Sequence, residues 1–259
     1  MPSVVILGLK FLSRAPKLAY YQAAMNTLNV ALLATALSLV PLNETKSQQA
    51  SSTPPATADL AAGRLVVTLP AEGKLVNDKP VGEHWVNLLD SLDGWIADPR
   101  YWSFENGVLH GDFDGGKLHN FSWTKKTYGD FELNVLIRMT GRNANSGVCI
   151  RIHPADADNA PGYQVDMGEG YWGSLWEERR AGMVQLFPQD LVPKLVHDGD
   201  WNHYYVIAKG HHIQAWLNGV KTIDIVHDAG FADGNIGFQL CHGDKHTTID
   251  VKTLYIRQM

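Results

Sequence analysis

The sequence predicts an all-β protein, a two-sheet antiparallel sandwich, and three observations lead there. Between residues 85 and 259, about ten to thirteen short runs rich in β-branched and aromatic residues recur at roughly 8 to 12 residue spacing. Apolar residues alternate within these runs, and no stretch keeps helical periodicity for more than about two turns. Two Asn-Gly pairs, Asn106-Gly107 and Asn218-Gly219, separate such runs, as tight hairpin turns require. No repeat of fixed period is present, which argues against a propeller or solenoid and leaves a sandwich ahead of a barrel.

The N-terminal residues are of another kind. Lys10, Arg14 and Lys17 precede an uncharged run at 18–43 whose most apolar part is 30–42. Positive charge followed by such a run is the layout of a secretory signal, and the run is also long enough for an uncleaved signal anchor. Residues 1–43 are therefore expected to be a signal peptide or signal anchor. The protein is expected to be exported, whether periplasmic, extracellular or membrane-anchored, with membrane contact only through this segment. Residues 44–84 are expected to be a linker, mostly disordered, because 44–55 is dominated by polar and small residues that bury too little apolar surface to order themselves. The short apolar run at 65–69 is left outside the domain.

The folded domain is expected from residue 85. Runs at 85–89 and 93–95 open it, and 102–109 (WSFENGVL) reads as a hairpin. The run FELNVLIRM at 131–139 alternates strictly, placing Phe131, Leu133, Val135, Ile137 and Met139 on one face. A meander follows at 204–209, 213–217 and 220–225, and runs at 236–240 and 247–257 close the chain.

Polar residues that could build a site are densest at 145–180. Strands are expected at 148–153, 163–167 and 174–179. Alternation sends Val148, Ile150, Ile152, Tyr163, Val165 and Met167 inward, and Cys149, Arg151, His153, Gln164 and Asp166 outward. A hairpin turn at 168–173 would bring Glu177 near Gln164, with Arg179 two residues further on. Arg151, Gln164, Asp166, Glu177 and Arg179 are thus expected to line one patch.

Composition sets broad bounds. A chain of 259 residues, 45% hydrophobic and 19% charged, supports one sizeable core. The net charge of −5 gives no reason to expect nucleic acid as a partner. Cys149 and Cys241 have neither CxxC nor zinc-finger spacing, so they are either a single bridge or two small apolar residues. Among the aromatics, Trp172 and Trp216 are outward candidates suited to flat sugar faces, although most aromatics in a sandwich fill its core.

Several motifs occur in a telling order: LLD at 88–90, LDGW at 92–95, WSFENGVL at 102–109, YGDFEL at 128–133 and NSGV at 145–148 with Arg151. GYQVD at 162–166, DWNH at 200–203, WLNGV at 216–220 and IGFQL at 236–240 follow. Together they resemble the 3-keto-disaccharide hydrolase domain family over about residues 85–259. The resemblance implies a concanavalin-like jelly roll, usually in exported bacterial proteins, with activity on glycosides oxidised to a ketone at C3. The chain departs from the family pattern in its long N-terminus and in CHGDK at 241–245.

Such a substrate needs a base for the hydrogen on C2, an electrophile for the enolate oxygen and an acid for the leaving group. Asp166 and Glu177 are the expected acid and base, and Arg151 or Arg179 the expected enolate partner. Asn145, Gln164, Trp172, Gln239 and His153 are the candidates to hold a carbohydrate ligand. His153 or His242 could share proton transfer, or help Asp244 and His246 hold a divalent metal ion, the candidate cofactor. A His-x-Asp-x-His at a strand end is not specific for metal. The alternative for Glu177, Glu178, Arg179 and Arg180 is a cross-strand ion-pair cluster on a solvated face. The rival function is a non-catalytic, lectin-like carbohydrate-binding module. Classical glycoside hydrolysis ranks last, because no E-x-D-x-E strand is present.

Overall fold

The structure, a computed structural model, describes Leu60 and residues 62–259. The expected signal or anchor at 1–43 lies outside the described residues. In chain order the strands are β1 (Leu75–Val76), β2 (Lys79–Pro80), β3 (Val86–Asn87), β4 (Trp95–Ile96), β5 (Trp102–Glu105), β6 (Val108–Phe113), β7 (Asn120–Tyr128), β8 (Phe131–Thr140) and β9 (Asn145–Ile152). They continue as β10 (Gly162–Gly168), β11 (Leu175–Glu178), β12 (Gly182–Gln185), β13 (Asn202–Lys209), β14 (His212–Leu217), β15 (Val220–Val226), β16 (Gly234–Leu240) and β17 (Thr247–Gln258). The helical content of the described elements is three short 3-10 segments, and no helix among the described residues is long and apolar enough to cross a membrane.

Two sheets stack face to face. The seven-stranded sheet has the order β12-β11-β10-β9-β16-β7-β4 and the eight-stranded sheet β15-β14-β13-β8-β17-β6-β5, with β3 added on β17. Hairpins join β5–β6, β9–β10, β10–β11, β11–β12, β13–β14 and β14–β15, while β9–β16, β7–β16 and β8–β17 join distant parts of the chain, all antiparallel. The expected alternation fills the space between the sheets. Phe131, Leu133, Val135, Ile137, Val148, Ile150 and Val165 are all fully buried in one apolar cluster with Phe238, Tyr204 and Ile249. Both Asn-Gly pairs form two-residue hairpin turns, with φ of 53° and 79° at Asn106 and Gly107 and of 47° and 88° at Asn218 and Gly219.

Alternation fails at several bulges, and one of them bears on the site. Against β16, β9 takes three residue steps from Cys149 to Ile152 where its partner takes two, from Gly237 to Asn235. This is a β-bulge, with Arg151 at φ 51°. Gly162 and Gly234 flank it, and a Cβ on either would stand 2.5 Å from the Arg151 backbone. Past the bulge the faces exchange. Ile152, expected in the central core with Ile150, instead packs beside Cys149, Phe121 and Ala160 on the other face of the sheet.

Residues 62–84 carry structure where composition suggested a linker. A 3-10 turn at Ala71–Gly73 and the β1–β2 hairpin lie against the outer face of the eight-stranded sheet. Val67 bridges to Val220, the Trp216 indole donates to Thr68 Oγ1 at 3.2 Å, and Thr253 Oγ1 donates to the Asp78 carbonyl at 2.8 Å. Gly73 sits so close to the Tyr205 ring that a Cβ would approach it to 2.8 Å. Trp216, an outward candidate for ligand, is therefore a covered side chain stacked near Tyr205.

Candidate functional site

The outer face of the seven-stranded sheet gathers polar side chains that are nonetheless buried. Val148, Val165 and Phe238 point into the core, so Cys149, Gln164, Asp166 and Gln239 point away from it. Register sets them side by side. Gln164 lies opposite Cys149 on β9 and Trp176 on β11, and Asp166 lies opposite Gly147. The absent side chain at Gly147 leaves room for Gln164, whose Cγ would stand 2.2 Å from a Cβ there. The Gln164 amide nitrogen reaches the Ser146 carbonyl at 3.2 Å, Asp166 Oδ1 at 3.3 Å and Gln239 Oε1 at 3.3 Å.

Asp166 is the chemically unusual member. It is 4% exposed, and only Gln164 and the Met167 backbone N–H, at 3.0 Å, donate to its Oδ1. Burial pushes its pKa up to about 8 and the Glu178 charge adds to the rise, against the pull of those two donors. At neutral pH it is a carboxylic acid with a proton to give.

Glu178, opposite Gly162, shares this face through the β10–β11 register. Burial raises its pKa too, while Arg179, with Nε 3.5 Å from Glu178 Oε1, opposes the rise. Arg179 is also tied to Asp158 Oδ2 at 3.4 Å, and Asp158 Oδ1 accepts the His119 backbone N–H at 2.7 Å. The His119 ring meets His242 at 4.1 Å between centroids, and its Nδ1 accepts the His242 backbone N–H at 3.3 Å. Burial first and the neighbouring His242 second push the His119 pKa down to about 4. His119 is therefore neutral at pH 7, its proton on Nε2.

Several expected site residues lie elsewhere. Glu177 faces the opposite side, because β11 pairs one residue away from the expected register: Tyr163, not Gln164, is its partner. There it accepts from Arg180 Nε at 2.7 Å and the Ala181 N–H at 3.2 Å, a structural ion pair. Arg151, turned inward by the bulge, is fully buried and donates to the Gly129 and Gly210 carbonyls and to Asp130. It fastens loops and does not reach Asp166's face. His153, just past the bulge, is held by the Asp233 carbonyl at 2.9 Å and stacks on Phe231. Trp172 is mostly buried and its carbonyl accepts from Gln189.

Asn145, Gln164, Gln239, Asp166 and Arg179 remain around the face, joined by Glu178, Trp176, His119, Asp158 and Lys245, which the sequence reading did not select. The metal candidates do not converge. His242 packs on His119, Asp244 accepts from Arg142 at 3.0 Å, and His246 pairs with Asp112 at 3.3 Å. Among the described residues no group of three or more His, Cys, Asp or Glu is arranged to hold a metal. Cys149 and Cys241 are both free thiols.

The open space lies beside Asp166, not directly above it. A cleft of about 310 Å³ is lined by Asn145, Glu169, Asp244 and Lys245, and a larger one of about 970 Å³ adjoins it at the end of the sandwich.

Residues 84–257 match the 3-keto-alpha-glucoside-1,2-lyase-like domain family. The chain belongs to that family. Two solved structures from Parabacteroides distasonis ATCC 8503, both carrying provisional glycosyl hydrolase names, share the fold. One is 23% identical with a TM-score of 0.51, covering 68% of this chain and all of its own. The other is 18% identical with a TM-score of 0.50, covering 68% of this chain and 94% of its own. At these identities the likeness speaks for the fold alone. No curated protein matches the sequence.

Proposed function

We propose that this protein cleaves glycosides oxidised to a ketone at C3, by elimination across C1 and C2 followed by addition of water. Family membership supports a carbohydrate-active role. The observation that carries the finer reading is Asp166, a carboxyl kept protonated to about pH 8 on the same face as Glu178 and the amides of Gln164 and Gln239. Two carboxyls in unequal environments supply an acid and a base together.

The C3 ketone acidifies the hydrogen on C2. Glu178 takes that proton, and the electron pair is held as the enolate of C2, C3 and the ketone oxygen. The Arg179 guanidinium, beside Glu178, offsets the enolate charge. As the pair returns to form the C1–C2 double bond, the C1–O bond breaks and the leaving oxygen takes the proton of Asp166. The free aglycone alcohol and an unsaturated 3-keto sugar result. Water then adds hydroxyl to C1 and hydrogen to C2, so the net reaction is hydrolysis. Gln164 and Gln239 hold ring hydroxyls, and Trp176 offers a flank for the sugar face.

A lectin-like module would use the same amides and tryptophan. Asp166 favours catalysis, since burying a carboxyl is costly and a proton held to about pH 8 is what a leaving oxygen needs. The N-terminal pattern at 1–43 adds the proposal that the domain works outside the cytoplasm. The test is substitution. Asp166→Asn and Glu178→Gln each lower aglycone release from a 3-keto-glucoside by ~10²-fold or more, while Glu177→Gln retains it. Retention in Glu178→Gln with loss in a folded Glu177→Gln would overturn the assignment.

A further inference from the structure

The proposed reaction leaves one ring beside Arg179 without a part, that of His119. Its backbone N–H donates to Asp158 Oδ1 at 2.7 Å, and the ring packs on Phe121 and His242 at 5.7 and 4.1 Å between centroids. The His242 N–H donates to Nδ1 at 3.3 Å. That bond occupies the Nδ1 lone pair and leaves the proton of the neutral ring on Nε2. Burial first, then the charges of His242, Arg179 and Lys245, keep the ring neutral against the pull of Asp158. Among the described residues nothing bonds Nε2, and that nitrogen is not one of the polar atoms sealed from solvent. A cleft of about 500 Å³ adjoins the ring, with Asp158, Asn120 and Tyr101 also in its wall.

Arg179 meets the same carboxylate. Its Nη2 lies 3.4 Å from Asp158 Oδ2 and 3.3 Å from the Asp158 carbonyl, while its Nε lies 3.5 Å from Glu178 Oε1. Two carboxylates therefore draw on the one guanidinium that offsets the enolate, whereas the Nε2–H of His119 is undivided. We infer that His119 is a further catalytic residue, whose Nε2–H donates a hydrogen bond to the C3 ketone oxygen that strengthens as this oxygen becomes an enolate. The assignment rests on the proposed 3-keto-glycoside reaction and adds a directed donor to it. No proton leaves the ring. Glu178 takes the C2 proton, the C2–H electron pair becomes the C2–C3 double bond, and the carbonyl pair settles on the oxygen bonded by Nε2–H. A neutral imidazole suits this part, because it donates without giving up its proton and a ring already fixed needs no reorganisation during the step.

The experiment gives the full chain 1,5-anhydro-3-keto-glucitol, a ketone with a C2 hydrogen and no leaving group, in heavy water. Uptake of deuterium at C2, followed by NMR, reads enolisation alone. The wild type is expected to speed this exchange, and His119→Phe and His119→Leu, both without the N–H and both checked for folding by thermal melting, to slow it ~10²-fold. His119→Gln returns an N–H near the place of Nε2 and is expected to recover about tenfold of that loss. Unchanged exchange in a folded His119→Phe or His119→Leu, or an equal loss in all three variants, overturns the donor while leaving the proposed reaction standing. No exchange by the wild type overturns the reaction. The C3 carbonyl stretch of the bound ketone then decides His119 alone: a lower frequency in the wild type than in a variant lacking the N–H supports the bond, and equal frequencies or absence of binding overturn it.

Discussion

Asp166 ties the chemistry of the site to the stability of the fold. Its carboxyl titrates near 3.8 when free and near 8 in the folded chain, so between those values the folded form holds a proton that the unfolded form has lost. Its contribution to stability is whole below about pH 4 and is lost as pH rises through about 8. Asp166→Asn removes this dependence: melting temperature against pH should flatten between 4 and 8, with the variant gaining most over wild type at the alkaline end. In the proposed reaction the same proton serves catalysis, so kcat/KM of the wild type should fall as pH rises, with an apparent pKa near 8. A wild-type melting curve that rises steadily across this window, matched by the variant, would mean that Asp166 is an ordinary ionised carboxylate. Glu177 makes the contrast. Equally buried but matched with Arg180, it belongs to the ion-pair reading that the sequence held open for the Glu177–Arg180 run.

At the scale of elements, local patterns were legible and pairings between strands were not. The two Asn-Gly hairpins and the alternation of Phe131 to Ile137 could be read directly, because turn chemistry and side-chain period reside in neighbouring residues. The Glu177 assignment missed because the β10–β11 register is fixed by the turn between them, where Gly173 N–H bonds to the Asp166 carbonyl and Asp166 N–H to the Ser174 carbonyl. One residue of difference moves Glu178 to the site and Glu177 away. Arg151 missed for a related reason: a bulge breaks alternation, and its trace in the sequence was two glycines, Gly162 and Gly234, from strands that only the fold brings beside it. His119 and Lys245 had no sequence signal, since they reach the face from distant loops. Residues 62–84 illustrate an element whose composition conceals its role. They cover Tyr205 and Trp216 on the eight-stranded sheet, so a chain starting at residue 85 should melt roughly 5 °C or more below one starting at 62. Equal melting temperatures would show that this cover adds nothing.

For the whole molecule, one sheet has its outer face packed beneath residues 62–84, while the outer face of the other carries the proposed site. The sandwich thus presents a single working side, bounded by the loop at 153–161 and by the segment at 241–246. The central claim is that this side acts through the acidity of C2, and one comparison tests it most directly. The purified protein is given an aryl 3-keto-glucoside, the same compound with deuterium at C2, and the unoxidised parent glucoside, and release of the phenol is followed. The account predicts release from the keto compound, a slower rate with deuterium, and none from the parent. Equal release from keto compound and parent, or binding of both with release from neither, would contradict it.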